Sequence, residues 1–441
     1  MVAVGAATAE GPVATDDAAR GRPLPDRIRQ ARLDSGIRVV TERMPDAHSV
    51  TTGFWVDAGS RDETAELAGA SHFLEHLLFK GTDTRSARDI AEAIEAVGGD
   101  MNAFTTKEYT AFYTRVLDED LELGLDILSD IMWAPAFRAD EVEAERQVIL
   151  EEILMHEDEP SDLVHDLFTE ALYPGHPLGR EVLGDESTIS AMSSDQIRGY
   201  FSEFYRPEAI VVAAAGNLDH DDVVAGLERR YAGRTGNRPE RRMPPLAPPR
   251  RVVVSKRSTE QAHIVVGGRA LARNDDDRFA LAALNQVLGG GMSSRLFQEI
   301  REKRGLVYSV YSYRAAYLET GALAVYAGTS PSQVHEVLEL IHAELDHMAT
   351  GDVSARELDM AKGHLKGSLA LSLEDSASRM TRIGRGVLLH DEVLSFDELV
   401  RRTEAVTLDD VARVAGRVLT DDRVLAVVGP FEQGAFAERV A

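Results

Sequence analysis

The chain repeats itself at long range. Ile210–Gly216 (IVVAAAG) is a short apolar run ending in glycine, and Val424–Gly429 (VLAVVG) is another, roughly 210 residues later. Each follows a segment with helical periodicity, residues 194–205 and 408–419. Near the front of each half lie strand-like runs at residues 51–56 and 263–266, again roughly 210 apart. Each of these is followed by a long apolar helix pattern, around residues 67–79 and 279–288. Strands and helices that recur in one order at so long a period predict two copies of one α+β unit. Residues 233–250 (GRTGNRPERRMPPLAPPR) separate the copies. Proline fixes φ and donates no N–H, so this segment reads as an extended linker. The organisation expected is a leader at 1–25, a first domain at 26–232, the linker at 233–250 and a second domain at 251–441.

Between these landmarks, residues 100–106 and 109–116 alternate like two short strands joined by a turn near Lys107. Residues 118–133, 140–156, 330–350 and 354–373 read as amphipathic helices.

Composition narrows the classes of function. A chain of 441 residues can bury two full cores, and 44% apolar with 28% charged residues is ordinary for a globular protein. No apolar run reaches the ~18 residues of a membrane span, so none is expected. Residues 1–25 are rich in Ala, Gly, Thr, Pro and Asp and lack the basic start and apolar run of a signal peptide. They read as a disordered leader. There is no cysteine, which excludes disulfides and thiolate ligands and suits a cytoplasmic protein. Any metal must therefore sit on His, Asp or Glu. The net charge of −26 argues against a nucleic-acid partner. An acidic chain could favour basic peptides, although solubility alone accounts for the charge.

The apolar helix of the first half carries His72-Phe73-Leu74-Glu75-His76. Residues i and i+4 of a helix share a face, so His72 and His76 can hold one ion together, and Glu75 leans the same way. Two neutral imidazoles suit Zn²⁺, which needs a third protein ligand and leaves a position for water. A carboxylate beside that water can take its proton. Two surface histidines beside a glutamate would ordinarily mean nothing. Here Phe73, Leu74, Leu77, Leu78 and Phe79 imply a mostly buried helix, in which histidine needs a partner. The corresponding helix of the second half, Leu281-Ala282-Ala283-Leu284-Asn285-Gln286-Val287, keeps the apolar face without the triplet.

The helix pattern over 140–156, DEVEAERQVILEEILMH, offers candidates for the third ligand. Glu145 and Glu152 are seven apart and share a face. A solvated acidic face explains them as well, since Glu141, Glu143, Glu151 and Glu157 accompany them.

HFLEHLLFKGT followed by ERQVILEEI resembles the pitrilysin family (M16) of inverted-motif zinc peptidases, and most of all its two-domain processing-peptidase branch. The resemblance spans roughly residues 24–429. It implies two homologous domains, each a mixed, mostly antiparallel sheet flanked by helices. It implies one Zn²⁺ per chain. In that family the third ligand is a Glu about 76 residues beyond the second histidine, where Glu152 stands. The resemblance thus makes His72, His76 and Glu152 the zinc ligands, Glu75 the general base and Glu145 a carboxylate that orients a ligand. Glu151 is the alternative third ligand, but it points about 120° away from Glu145 around the helix.

In the second half, LGGGMSSRL and REKRGLVY also resemble the family. The family places an Arg and a Tyr seven apart there, reaching toward substrate, and Arg301 and Tyr308 have that spacing. A Tyr hydroxyl can donate to a developing oxyanion. By residue type alone a salt-bridging Arg and a packed strand Tyr explain the pair. Gly289–Gly291 lacks the lysine of a phosphate loop and reads as a flexible loop or a helix end. Met101-Asn102-Ala103-Phe104-Thr105 resembles the family's edge strand beside the metal, which can pair with an extended peptide. Asn102, Ala103 and Phe104 are its candidate substrate contacts, or plain strand residues. The resemblance implies a zinc endopeptidase acting on peptides or unstructured segments, and a homodimer whose sites are completed in trans. The family also contains inactive structural or peptide-binding subunits, which typically have lost a ligand or the base. This chain retains His72, Glu75, His76 and Glu152.

Overall fold

The computed structural model describes residues 27–231, 235–420 and 422–436. The leader at 1–25 and the first two linker residues, 233 and 234, lie outside them. Eleven strands form two sheets among the described residues. The first contains β1 (Ile28–Arg32), β2 (Arg38–Arg43), β3 (Ser49–Val56), β4 (Asp100–Thr105), β5 (Thr110–Leu117) and β6 (Ile210–Gly216), in the order β1-β2-β6-β3-β5-β4. The second contains β7 (Val252–Lys256), β8 (Ala262–Ala270), β9 (Val307–Ala316), β10 (Gly321–Thr329) and β11 (Val424–Gly429), in the order β7-β11-β8-β10-β9. In each sheet one pair is parallel, β2 with β6 and β7 with β11, and the other pairs are antiparallel. Removing β1 makes the two topologies identical. The apolar runs that recur in the sequence are β6 and β11, and the earlier pair are β3 and β8.

Strands β6 and β11 are buried at every residue, which explains why they read as continuous apolar runs rather than alternating ones. One face of each sheet packs on helices of its own half. The other face is covered by a helix from the opposite half. Helix Pro160–Leu172 lays Val164, Phe168 and Leu172 on Val265, Ala324 and Ala426 of the second sheet. Helix Ser376–His390 lays Met380, Ile383 and Val387 on Val40, Trp55, Val211 and Ala213 of the first. Small residues permit the close approach. A Cβ on Gly384 would lie 2.5 Å from the Trp55 indole nitrogen, and one on Gly53 would lie 2.6 Å from the Met380 sulfur.

A buried charge network also joins the halves. Glu108, in the β4–β5 turn, receives Arg61 from the first half and Arg273 from the second, both at 2.5 Å. Arg61 also bonds Glu319. Linker residue Arg241 reaches Asp57, Asp62 and the Glu108 carbonyl. The linker therefore runs extended but pinned, because Arg238, Arg241 and Arg250 each meet a carboxylate of the first half.

The helices differ from the sequence pattern mainly at their starts. The motif helix runs Ala70–Leu78, after a separate 3-10 turn at Ala65–Leu67, because Gly69 with φ +93° breaks the helix between them. Helices Leu121–Trp133 and Val334–Ala349 likewise begin after short 3-10 turns.

Candidate metal centre

His72 and His76 sit one turn apart on the motif helix, with ring centroids 4.6 Å apart. Helix Ala139–Glu157 packs against it and presents Glu152. Glu152 Oε2 lies 3.6 Å from His72 Nε2 and 3.5 Å from His76 Nε2. Two residues adjacent on one helix thus converge with a third that is far along the chain.

The surroundings prepare these atoms for a cation. His76 Nδ1 lies 3.1 Å from Glu145 Oε2, so the proton belongs on Nδ1 and the Nε2 lone pair faces Glu152. Glu145 is buried, and its other oxygen takes Lys80 Nζ at 2.7 Å. Burial, and then the neighbouring His76, lower the His72 pKa to about 4. A neutral imidazole at ordinary pH is the state a metal needs. Two imidazole nitrogens and one carboxylate oxygen form the donor set of a zinc centre that keeps a position free for water. The three residues fit that ion, and they would be the ones to hold it.

Glu75 projects from the same helix beside these groups. Burial raises its pKa, while a hydrogen bond from Thr105 on β4 opposes the shift. A carboxylate whose proton affinity burial raises is better suited to taking a proton than a solvated one.

Strand β4, which carries Asn102, Ala103 and Phe104, is the edge of the first sheet and runs beside the motif helix. Ala103 packs against the main core of the first half. Asn102 is exposed, and its Oδ1 accepts the Ala103 N–H at 2.8 Å. The Phe104 ring meets Trp55 at 5.7 Å and Tyr109 at 6.0 Å.

Arg301 and Tyr308 are brought together in the second half. Arg301 lies on a π-helical turn, Phe297–Glu302, and its guanidinium stands 5.3 Å from the centre of the Tyr308 ring on β9. Tyr308 is 79% exposed. Among the described residues, no hydrogen bond, ion pair or ring contact joins this pair to His72, His76 or Glu152.

Several groups around the centre escape a reading of the sequence. Lys80 lies past the end of the motif helix, where periodicity gives no direction. Thr105 reaches Glu75 across strand and helix. A second group, His156, Asp166 and Glu181, offers three ligand-type atoms within 4.8 Å of one another. His156 is one turn beyond Glu152 on the same helix. Burial, followed by the adjacent Glu181, pushes Asp166 up to about 8.

Buried His72, half-buried His76, a converging carboxylate and a second carboxylate beside them give this α+β chain a donor set that fits a metal ion. Comparison with known proteins narrows the class. Residues 38–186 match the family model Insulinase (Peptidase family M16), and residues 191–365 match Peptidase M16 inactive domain. The chain belongs to peptidase family M16. An uncharacterized zinc protease of Streptomyces coelicolor is 48% identical over 92% of this chain and 90% of its own length. An uncharacterized zinc protease of Bacillus subtilis, YmxG, is 40% identical over 91% of this chain and 98% of its own. The fold is that of a protease from Helicobacter pylori, with TM-score 0.85 and 22% identity over 91% of this chain and 99% of that one. It is equally that of a peptidase M16 inactive domain from Pseudomonas fluorescens, with TM-score 0.86 and 22% identity over 92% and 98%. The two-domain architecture read from the repeat is that of this family. No helix among the described residues is long and apolar enough to cross a membrane.

Proposed function

We propose that the chain is a zinc-dependent endopeptidase that cleaves peptides or unstructured protein segments. The observation that carries the reading is the approach of His72 Nε2 and His76 Nε2 to one oxygen of Glu152, at 3.6 and 3.5 Å. One Zn²⁺ per chain, when bound, supplies Lewis acidity toward the scissile carbonyl and toward water. Glu75 takes the proton of the attacking water and passes it to the leaving amine. Edge strand β4 holds the peptide in extended form through its free backbone groups. Tyr308 donates its O–H to the carbonyl oxygen as charge develops, and Arg301 steadies the ring.

Tyr308 is exposed and unconnected to the histidines of its own chain. That supports a homodimer in which each metal centre is completed by the second domain of the partner subunit. The carboxylate of Glu181, near enough to His72 to act on its charge, supports basic side chains among the peptides accepted. The cysteine-free composition suits a cytoplasmic setting.

The test is cleavage of a diverse unstructured peptide library by protein of measured zinc content, with and without chelator. Stoichiometric zinc with no cleavage would favour an inactive peptide-binding subunit. For completion in trans, Glu75→Gln and Arg301→Ala chains are mixed. Recovered activity supports shared sites, and an inactive mixture counts against them.

A further inference from the structure

The motif helix begins without the cap that such a helix normally carries. Its first turn leaves backbone N–H groups that a Ser, Thr, Asp or Asn at the preceding position usually satisfies. That position is Gly69, with φ +93° and no side chain to offer. A side chain is also excluded by packing, since a Cβ there would lie 2.6 Å from both Ile189 Cδ1 and the Leu183 carbonyl oxygen.

The missing acceptors come from Glu63, in the segment between the 3-10 turns Ser60–Asp62 and Ala65–Leu67. One carboxylate oxygen takes the Gly69 N–H at 2.9 Å and the other takes the Ser71 N–H at 2.7 Å. Glu63 is 5% exposed, and burial pushes its carboxyl up to about 8 in spite of these bonds. Its own carbonyl is held by Arg180 at 2.6 Å, and the Ser71 hydroxyl bonds Tyr200 at 2.9 Å. A buried carboxyl held at that cost, at the positive end of a helix, fixes where the helix begins and how it is rotated.

His72 follows Ser71 directly, whereas His76 is already held by Glu145. We infer that Glu63 is a positioning residue for the metal centre, acting through the first turn of the motif helix to place His72 opposite Glu152. The inference rests on the zinc-peptidase reading above and deepens it.

The test uses full-length, metal-stripped wild type, Glu63→Gln and Glu63→Asp. Gln keeps one acceptor oxygen but turns an N–H₂ toward the other backbone donor. Asp keeps the carboxyl group but is one methylene too short to reach both. Zn²⁺ affinity is measured by competition with a chromophoric chelator, and Co²⁺ absorption reports the coordination of the bound ion. The core variant Leu125→Ala serves as a control for lost stability alone. The expected result is a 10- to 100-fold weaker zinc affinity (about the range for lost supporting contacts), with an altered Co²⁺ spectrum. Leu125→Ala should show neither change. Where cleavage is measurable, kcat should fall with little change in KM. Should Glu63→Gln not fold, Glu63→Asp carries the measurement. Folded variants with wild-type affinity and an unchanged Co²⁺ spectrum would overturn the inference. A wild type that binds no zinc would overturn the metal reading itself, and this inference with it.

Discussion

Glu145 stands between His76 and Lys80, accepting from the imidazole Nδ1 at 3.1 Å and from the ammonium at 2.7 Å. The carboxylate sets the tautomer that leaves Nε2 free for a cation, and the lysine balances a charge that would otherwise be buried alone. Glu145→Gln keeps the shape and removes the charge. Zinc affinity is expected to fall by about 10- to 100-fold. Lys80→Met should shift it in the same direction. Competition titrations against a chelator decide, and unchanged affinity in Glu145→Gln would remove the supporting role.

In the proposed mechanism Glu75 moves protons without holding the ion. Glu75→Gln should therefore retain stoichiometric zinc while kcat falls by about 10²- to 10⁴-fold. Metal analysis and peptide cleavage on the same preparation check both halves of this statement. Full activity in Glu75→Gln would disprove the base assignment.

His72 makes the metal-free protein sensitive to acid. Its pKa is about 4 in the folded chain, lowered by burial and then by His76, against a reference value of 6.5. Between these values the unfolded chain binds a proton that the folded chain does not. Stability is therefore present above pH ~6.5, is lost as pH falls toward about 4, and does not fall further below that on account of this residue. The loss is at most about 3 kcal/mol. Denaturant titrations of metal-free wild type and His72→Gln at pH 7 and pH 4.5 test it. The wild type should lose more than the variant across that interval, and equal losses would contradict the assignment.

Glu108 neutralises Arg61 and Arg273 in a site where all three are nearly inaccessible. Glu108→Ala leaves two buried cations without that partner at the junction of the halves. A loss of about 3–5 kcal/mol is expected, read as a lower midpoint in urea. Because the pair spans both domains, the transition should remain single. A change under ~1 kcal/mol would mean that solvent or Glu319 compensates.

Local periodicity explains how much could be read in advance. His72, Glu75 and His76 share a helix face by spacing alone, and β6 and β11 announce themselves as unbroken apolar runs. Glu152 did not stand out locally, because it lies among five other acidic residues of one helix pattern, and only family resemblance singled it out. Helix starts were misplaced where glycine or a 3-10 turn intervened, since periodicity does not register a single positive φ.

The exchange of helices between halves was not legible. Runs such as IVVAAAG say that both faces of a strand are covered, but not that Met380 and Ile383 from the far half cover one of them. Glu63 and Lys80 were missed for a related reason. A charged residue in a connecting segment looks solvated until the chain closes over it.

The sequence by itself determined a two-copy α+β chain and a helix with two histidines and a carboxylate on one side, because those properties depend on intervals of a few residues or on direct repetition. Only the tertiary structure decided which carboxylates meet the histidines, what caps their helix and which half covers which sheet. Those contacts join residues tens to hundreds of positions apart, and their strength comes from burial and charge neutralisation that exist only once the two halves are packed.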